Sequence, residues 1–354
     1  MGKQLSKILK KVHNTRIVEV RKMITPKELA EQLPLEEKQA SVVEKSRKAI
    51  EDILAGRDGR VVAIVGPCSI HNVEEALEYA TMLADIAEKV KDRILVVMRT
   101  YFEKPRTVSG WKGLIKDPDL DGSYKIDKGL YLARKLLLKV NELGLPCATE
   151  ALEVFTPQYL MDLVSWAAIG ARTSESQLHR ELASGLSMPV GFKNSTSGDI
   201  GVAINAIRAA SKESQFIGIN RDGMVELFHT EGNPYGHLIL RGGSDGPNYD
   251  AETVKRASSK LSSFNLIDKV IVDCSHGNSN KDYERQGDVL RAVVDHIKGK
   301  LPIAGVMLES NINPGRQDIG QAPLLKGVSI TDSCIGIEKT KELLYEAYEE
   351  LAKE

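Results

Sequence analysis

Four hydrophobic runs that lie far apart in the chain each stop at or near a residue that can bind a divalent metal. V-V-A-I-V-G-P-C, K-V-I-V-D-C-S-H, I-A-G-V-M-L-E and V-S-I-T-D lead to Cys68, His276, Glu309 and Asp332. A thiolate, an imidazole and two carboxylates together suit a divalent transition metal. If the runs are neighbouring parallel strands, their carboxyl ends meet where α/β folds keep their chemistry. The four residues therefore indicate a metal-dependent enzyme.

The ends of other strand-like runs carry an unusual number of cations. These residues are Arg99, Lys104, Arg106, Arg172, Lys193 and Arg241. Arginine binds phosphate and carboxylate groups bidentately, and lysine supplies a compact positive charge. Any one of them alone would be an ordinary surface charge, but their agreement across several strand ends favours a shared role. The pattern predicts a small substrate, or a pair of substrates, with several anionic groups.

Alternating strand and helix patterns predict the scaffold that positions these residues. Strands are expected at 61–66, 94–99, 145–150, 167–172, 188–193, 237–241, 269–275 and 302–309. Helices are expected at 73–90, 127–142, 157–166, 175–185, 200–210, 251–263, 282–298 and 338–352. Alternation implies right-handed crossovers and a parallel sheet. Eight repeats favour an α/β (β/α)8 TIM barrel at 61–354, with an open doubly wound sheet as the alternative.

Two segments are additional to the eight repeats. Residues 1–60 form an N-terminal extension with an expected helix at 36–55, and residues 215–236 are expected to form an inserted hairpin around Arg221-Asp222-Gly223. We expect both additions to serve regulation or assembly. The basic amino terminus also fits a loose myristoylation pattern at Gly2, but an ordinary surface arm is the favoured interpretation.

The composition narrows the class of protein and its partners. The chain has 354 residues with 42% hydrophobic and 27% charged residues, as in an ordinary globular protein. Its formal net charge of −1 suggests no nucleic-acid partner, and no apolar stretch is long enough to span a membrane. Four cysteines without a C-x-x-C motif favour a cytoplasmic location.

Longer motifs resemble those of a known family. The segments are G-P-C-S-I-H, M-R-T-Y-F-E-K-P-R-T-V-S-G-W-K-G-L-I, G-A-R-T-S-E-S-Q-L-H-R-E-L, I-L-R-G-G, D-C-S-H-G-N-S-N-K-D-Y, M-L-E-S-N and S-I-T-D-S-C-I-G. They resemble the class I 3-deoxy-D-arabino-heptulosonate 7-phosphate (DAHP) synthases of the feedback-regulated enterobacterial and yeast type. The similarity runs from about residue 25 to about residue 350. It implies a metal-dependent barrel enzyme that condenses phosphoenolpyruvate with erythrose 4-phosphate, the first step of the shikimate pathway to aromatic amino acids.

The resemblance implies a role for each candidate residue. The implied metal ligands are Cys68, His276, Glu309 and Asp332, and the implied phosphoenolpyruvate residues are Arg99, Arg172, Lys193 and Arg241. Lys104, Arg106 and Thr107 are expected to bind erythrose 4-phosphate. Lys104 is the candidate for proton transfer, and Glu150 is expected to help position water. The metal is expected to be Mn²⁺, Fe²⁺, Co²⁺ or Zn²⁺. By the same resemblance Cys334 lies near the site, where it could pair with Cys68 after metal loss.

The resemblance also implies regulation by an aromatic amino acid. The implied effector residues are Pro157, Gln158, Ser187, Phe216 and Gly218. Gly218 stands where phenylalanine-sensing members tend to carry serine, which favours tyrosine over phenylalanine or tryptophan as the effector. Family members of this kind imply a homodimer or a homotetramer.

Three alternatives remain at the level of the sequence. The sister enzyme, 3-deoxy-D-manno-octulosonate 8-phosphate synthase, uses arabinose 5-phosphate on the same barrel, but the K-P-R-T segment argues against it. A non-catalytic amino-acid sensor is disfavoured because all four metal ligands and the full set of cations are present. A generic metal-dependent aldolase is the third alternative.

Overall fold

The computed structural model describes residues 11–320 and 323–353, and eight parallel strands within them close into a barrel. The barrel strands are β1 (Val61–Gly66), β2 (Ile94–Arg99), β3 (Cys147–Glu150), β4 (Trp166–Ile169), β5 (Val190–Lys193), β8 (Gly236–Leu240), β9 (Val270–Asp273) and β10 (Ile303–Asn311). Each strand pairs with the next in this order, and β1 also pairs with β10. The TIM-barrel prediction is confirmed, and the open doubly wound sheet is excluded.

Burial on both faces explains why the strands are almost continuously apolar. All six residues of β1 and all nine of β10 are buried. Helices cover the outer face, and the inward side chains fill the barrel. The inner cluster includes Val62, Ile64, Trp166, Ile239 and Met307. It also includes residues of the helix that precedes the barrel, so this helix contributes to the barrel core.

The helices lie largely where the apolar periodicity predicts them. After the barrel strands in order come α3 (Val73–Val90), α4 (Ile126–Glu142), α5 (Pro157–Leu160), α6 (Gln177–Ser184), α7 (Ile200–Ala210), α8 (Ala251–Ser262), α9 (Gln286–Lys298) and α10 (Ile337–Glu350). A short two-residue strand, β11 (Ile335–Gly336), pairs with β10 just before α10. Each connection returns the chain to the start of the next strand, so the strand ends gather at one mouth.

The predicted helix at 157–166 is wrong in its second half. The helix α5 ends at Leu160, a 3₁₀ turn covers Met161–Leu163, and Trp166 already belongs to β4. The Ser165 amide donates to the Cys147 carbonyl at 2.8 Å, and Trp166 pairs with Ala148. This pairing across the sheet overrides a helical apolar pattern that continues into the strand.

The predicted strand at 167–172 also ends early, at Ile169. The amides of Thr173 and Ser174 both donate to the Gly170 carbonyl at 3.0 Å. A tight turn therefore replaces the last part of the predicted strand and leads directly into the site.

The additional segments have defined structure next to the barrel. In the N-terminal extension lie α1 (Pro26–Gln32) and α2 (Glu37–Leu54). The C-terminal end of α2 contributes Ile50, Ile53 and Leu54 to the inner cluster. Between α7 and β8 lies an antiparallel hairpin of β6 (Ser214–Ile219) and β7 (Val225–Thr230). Residues 1–10, including Gly2, lie outside the described part of the chain. Among the described residues, no helix has the length and apolarity required to cross a membrane.

Candidate active site

The carboxyl ends of the barrel strands surround a cavity of about 560 Å³. Its lining includes the predicted residues Lys104, Arg106, Glu150, Arg172, Lys193, Arg241, His276, Glu309 and Asp332. Cys68 and Arg99 are buried and do not line it, although both contact residues that do. Thr107 is exposed and is not part of the lining. The structure thus brings nearly the whole predicted set to one place.

Three of the four predicted metal ligands form a compact cluster. Ligand atoms of Cys68, Glu309 and Asp332 all lie within 4.8 Å of one another. The fourth, His276, has its Nε2 atom 3.9 Å from Glu309 Oε1. One thiol, one imidazole and two carboxylates at these separations fit a single divalent transition metal.

Three neighbouring strands hold this cluster. Cys68 follows β1, His276 follows β9, and Glu309 lies within β10. The Asp332 backbone amide donates to Cys68 Sγ at 3.4 Å, which joins the loop after β10 to the loop after β1. The Gln286 side chain binds both the amide and the carbonyl of Glu309, at 2.8 and 3.0 Å, and fixes the strand there.

His276 is held in an unusual backbone conformation. Its φ angle is +57°, in the left-handed region that residues other than glycine adopt infrequently. The Lys281 amide donates to the His276 carbonyl at 2.7 Å, and the Gly277 amide donates to the Arg241 carbonyl at 3.0 Å. Backbone strain of this kind is often kept where a side chain has a functional direction. Here the imidazole points towards Glu309.

Charge in the cluster is governed by burial and by Lys104. Burial, with a contribution from Glu309, raises the pKa of the Cys68 thiol to about 11 although the nearby ammonium opposes this. Lys104 Nζ donates to Cys68 Sγ at 2.9 Å and to the Cys68 carbonyl at 3.1 Å. Burial alone would lower the pKa of Lys104, but the nearby Cys68 thiol and the carboxyl groups of Glu309 and Asp332 raise it. At neutral pH Cys68 is therefore a thiol and Lys104 an ammonium.

The buried cations and acids near the mouth include groups with unused hydrogen-bonding capacity. Arg99 Nη2 donates to Glu309 Oε1 at 3.0 Å, and its guanidinium lies 4.1 Å from the Tyr101 ring centroid. Its Nη1 atom, like Glu150 Oε1, is buried without a hydrogen-bond partner among the described residues. Buried polar atoms are rarely left unpaired, so such atoms beside a cavity indicate groups that bind a ligand or water.

Asp273, which is completely buried at the end of β9, is a residue of the site that the sequence pattern did not predict. It accepts a hydrogen bond from Lys193 Nζ at 2.9 Å, and His276 Nδ1 lies 2.9 Å from the same oxygen. The D-C-S-H motif contained the signal, since an acidic residue at a strand end precedes the candidate ligand by three positions.

A second cavity, of about 840 Å³, lies near the hairpin. Four of the predicted effector residues line it, namely Pro157, Gln158, Ser187 and Phe216. Gly218 does not line it but is buried against its wall, where a Cβ atom would lie 3.0 Å from the Phe228 ring. Phe216 and Phe228 stack with their ring centroids 5.4 Å apart, and both face the cavity.

The chain is similar to enzymes of known activity. The chain is 52% identical to the Tyr-sensitive phospho-2-dehydro-3-deoxyheptonate aldolase of Escherichia coli over 343 residues, which cover 96% of each chain. It is 50% identical to the Trp-sensitive enzyme of the same organism, over 93% of this chain and 95% of that one. The structure of the corresponding aldolase from Francisella tularensis superposes with a TM-score of 0.94 at 49% identity, covering 95% of this chain and 98% of that one.

A sequence model of one enzyme family matches residues 25–345, which include the barrel strands, the cation-rich mouth and all four candidate metal ligands. This match covers far more than half of the chain. The chain therefore belongs to the DAHP synthetase I family.

Proposed function

We propose that this protein is a metal-dependent DAHP synthase, which condenses phosphoenolpyruvate with D-erythrose 4-phosphate to give DAHP and inorganic phosphate. The observation that carries the proposal is the cluster of Cys68, Glu309, Asp332 and His276 at the edge of a cavity rich in cations. The identity of about 50% to curated enzymes of this name supports the same reaction.

The order of strands around the barrel supports separate positions for the two substrates. Arg172, Lys193 and Arg241 follow or end the adjacent strands β4, β5 and β8, and we assign them to the carboxylate and phosphate of phosphoenolpyruvate. We assign Arg99 to the same substrate, although it ends β2, because its guanidinium is buried beside Glu309. Lys104, Arg106 and Thr107 follow β2, and we assign them to erythrose 4-phosphate. Charged side chains on both sides of the cavity would hold two anionic substrates at attack distance.

The candidate metal ligands lie between these two groups, on β10 and in the loops after β1, β9 and β10. A divalent metal held there by Cys68, His276, Glu309 and Asp332 would polarise the aldehyde carbonyl of erythrose 4-phosphate. The mixed sulfur, nitrogen and oxygen ligands suit Mn²⁺, Fe²⁺, Co²⁺ or Zn²⁺.

The chain's own residues would supply the proton and water steps. The methylene carbon of phosphoenolpyruvate forms a bond to the aldehyde carbon, water adds to the neighbouring carbon, and the carbon–oxygen bond to phosphate breaks. Lys104, an ammonium in this environment, would donate a proton to the former aldehyde oxygen. Glu150, with one buried oxygen that has no partner among the described residues, would orient the water.

The reaction is tested by mixing the protein with phosphoenolpyruvate and erythrose 4-phosphate, with Mn²⁺ or with EDTA. Loss of the enol absorbance with an equal release of phosphate, abolished by EDTA, is the expected result. Consumption with arabinose 5-phosphate but not with erythrose 4-phosphate would instead identify the sister enzyme. No consumption with either sugar, in folded protein loaded with metal, would leave the sensor alternative.

We further propose that the second cavity binds an aromatic amino acid that inhibits the enzyme, with tyrosine favoured over phenylalanine and tryptophan. Its support is the stacked pair Phe216 and Phe228 on the cavity wall, with Gly218 rather than a larger residue beside them. Similar relatives include both Tyr-sensitive and Trp-sensitive enzymes. The same assay with each amino acid added in turn identifies the effector. Chromatography with light scattering distinguishes a homodimer from a homotetramer, the two assemblies we expect.

A further inference from the structure

Asp273 lies beneath the candidate active site and touches two of its functional groups at once. Its side chain is completely buried at the end of β9 and does not line the cavity. Oδ2 accepts a hydrogen bond from Lys193 Nζ at 2.9 Å and lies 2.9 Å from His276 Nδ1. Oδ1 accepts from the Ser275 amide at 3.0 Å and from the Ser275 hydroxyl at 2.6 Å. Both oxygens are therefore fully engaged.

These contacts determine which nitrogen of His276 carries the hydrogen. The Ser275 hydroxyl lies 2.8 Å from His276 Nδ1, but its hydrogen is directed to Asp273. The two oxygens that surround Nδ1 can then act only as acceptors, so the hydrogen resides on Nδ1. Nε2 lies 3.9 Å from Glu309 Oε1, too far for a hydrogen bond. Its lone pair is thus free to bind a metal.

The same carboxylate oxygen also fixes Lys193. The Lys193 side chain is almost completely buried and lines the cavity, and its ammonium lies 2.9 Å from Asp273 Oδ2. Without an acidic partner, a buried ammonium is costly and tends to lose its charge or move. Asp273 thereby fixes a cation for one substrate and an imidazole of the metal cluster in a common position.

We infer that Asp273 is a positioning residue that joins the metal site to the phosphoenolpyruvate site, through one oxygen shared by His276 and Lys193. The inference rests on the proposed function for the identity of the substrate. The effect of Asp273 on metal binding can be measured without turnover of any substrate. Carboxylates that hold a metal-binding histidine in this way commonly change metal affinity when they are replaced.

The first test locates the His276 hydrogen by ¹⁵N NMR in the unsubstituted chain. The chain contains seven histidines, so the His276 signals of protein with ¹⁵N-labelled histidine are identified by comparison with a His276→Gln sample. In metal-free protein above pH 8, we expect the hydrogen on Nδ1 and an unprotonated Nε2. A hydrogen on Nε2 would overturn the inference.

The second test uses Asp273→Asn, which keeps the shape of the side chain but leaves one oxygen to accept hydrogen bonds. Competition with a chromophoric chelator measures Mn²⁺ and Zn²⁺ binding, and steady-state kinetics measure KM for phosphoenolpyruvate. We expect metal affinity to fall by about 10–100-fold and KM for phosphoenolpyruvate to rise by roughly tenfold or more. KM for erythrose 4-phosphate should change much less.

Asp288→Asn is the matched control, because this aspartate is 73% exposed on α9 and does not line the cavity. A folded Asp273→Asn protein with metal affinity within about twofold of the unsubstituted chain would refute the inference. If Asp273→Asn fails to fold, the ¹⁵N measurement on the unsubstituted chain decides. A chain with the expected tautomer and metal affinity that consumes no phosphoenolpyruvate would refute the proposed function alone.

Discussion

Lys104 occupies the position where the metal cluster and the substrate cations meet. Its ammonium donates to Cys68 Sγ at 2.9 Å, and its charge is stabilised by Glu309 and Asp332. The same positive charge that favours the two carboxylates must oppose a metal cation bound by them. Lys104 therefore affects metal binding and catalysis in opposite directions.

Replacing Lys104 by methionine should separate these two effects. We expect turnover to fall by about 100-fold or more, because a positioned proton donor is lost. Affinity for Mn²⁺ should rise, since the competing ammonium is removed without loss of a ligand. Steady-state kinetics and chelator competition measure the two quantities, and Lys339→Met on the surface of α10 is the control. Normal turnover in Lys104→Met would exclude a role in proton transfer.

Gly218 offers a test of effector choice at a single residue. A Cβ atom there would lie 3.0 Å from the Phe228 ring and 3.3 Å from the Phe216 ring, closer than ordinary contact. The stacked rings would have to shift, and both form part of the cavity wall.

In Gly218→Ser we expect inhibition by tyrosine to weaken by about tenfold, which is roughly 1.4 kcal/mol of binding free energy. Inhibition by phenylalanine should strengthen relative to inhibition by tyrosine. Inhibition curves for both amino acids at fixed substrate concentrations provide the measurement. Gly59→Ser is the control, since a Cβ there meets no atom within 4 Å. An unchanged ratio of the two inhibition constants would remove Gly218 from the specificity determinants.

At the scale of elements, Glu103 connects two loops at the mouth of the barrel. It precedes Lys104 in the loop after β2, and its Oε2 accepts hydrogen bonds from Thr156 Oγ1 at 3.1 Å and the Glu153 amide at 3.4 Å. Thr156 directly precedes Pro157 of the second cavity. Burial raises the pKa of Glu103 to about 7, although these hydrogen bonds and Lys116 oppose the change.

This raised pKa predicts how stability depends on pH. Glu103 binds its proton more tightly in the folded chain than in the unfolded one, so its stabilising contribution is complete below the unfolded pKa of about 4.3. The contribution is lost as pH rises through the folded pKa of about 7. Ionisation of this carboxyl should therefore destabilise the fold between pH 5 and 8.

In Glu103→Gln this loss should disappear. Between pH 5.5 and pH 8.5, ionisation of Glu103 should lower the free energy of unfolding of the unsubstituted chain by about 2 kcal/mol, and the variant should not show this loss. Urea denaturation of both proteins at the two pH values provides the measurement. Exposed Glu88→Gln is the control and should show no such difference. Parallel stability curves for Glu103→Gln and the unsubstituted chain would show that Glu103 is not buried in its acid form.

The elements were predictable where one physical pattern dominated. All of β1 and the first six residues of β10 are Val, Ile, Ala, Leu, Met or Gly, and the amphipathic period of α3 is regular. The types of these elements therefore followed from the sequence. The boundary near Trp166 was not predictable, because an apolar helical pattern runs directly into an apolar strand. Asp273 was missed because its importance comes from Lys193, a residue 80 positions away. The direction of the His276 side chain depends on a positive φ angle that tertiary contacts maintain.

On the scale of the whole molecule, the two cavities draw on different parts of the chain. Side chains from barrel strands and the loops that follow them form the catalytic mouth, whereas the second cavity also uses Pro26 of α1 and both strands of the hairpin.

The hairpin's other face is apolar and exposed, with Ile217 71%, Val225 71% and Leu227 67% exposed. An exposed apolar face of this kind is typical of a contact surface between proteins. It is consistent with the predicted homo-oligomer.

This division predicts that inhibition can be removed while catalysis remains. The barrel strands β5 and β8 pair with each other directly, so the hairpin between α7 and β8 is not needed to close the barrel. The test is a chain in which a short Gly-Ser linker replaces residues 214–230. We expect it to consume phosphoenolpyruvate at about one third of the normal rate or better, because changes in surface insertions are tolerated far better than changes to the barrel.

Inhibition by tyrosine should be lost in the same chain, since Phe216 and Phe228 leave the cavity wall with the hairpin. Thermal unfolding and light scattering must accompany the kinetics, because removal of the apolar hairpin face can also change the oligomeric state. Comparison with Ile217→Ser, which alters only the exposed face, separates assembly from effector binding. Full inhibition by tyrosine in the linker chain would place the effector site elsewhere, while loss of both activity and folding would show that the hairpin belongs structurally to the barrel.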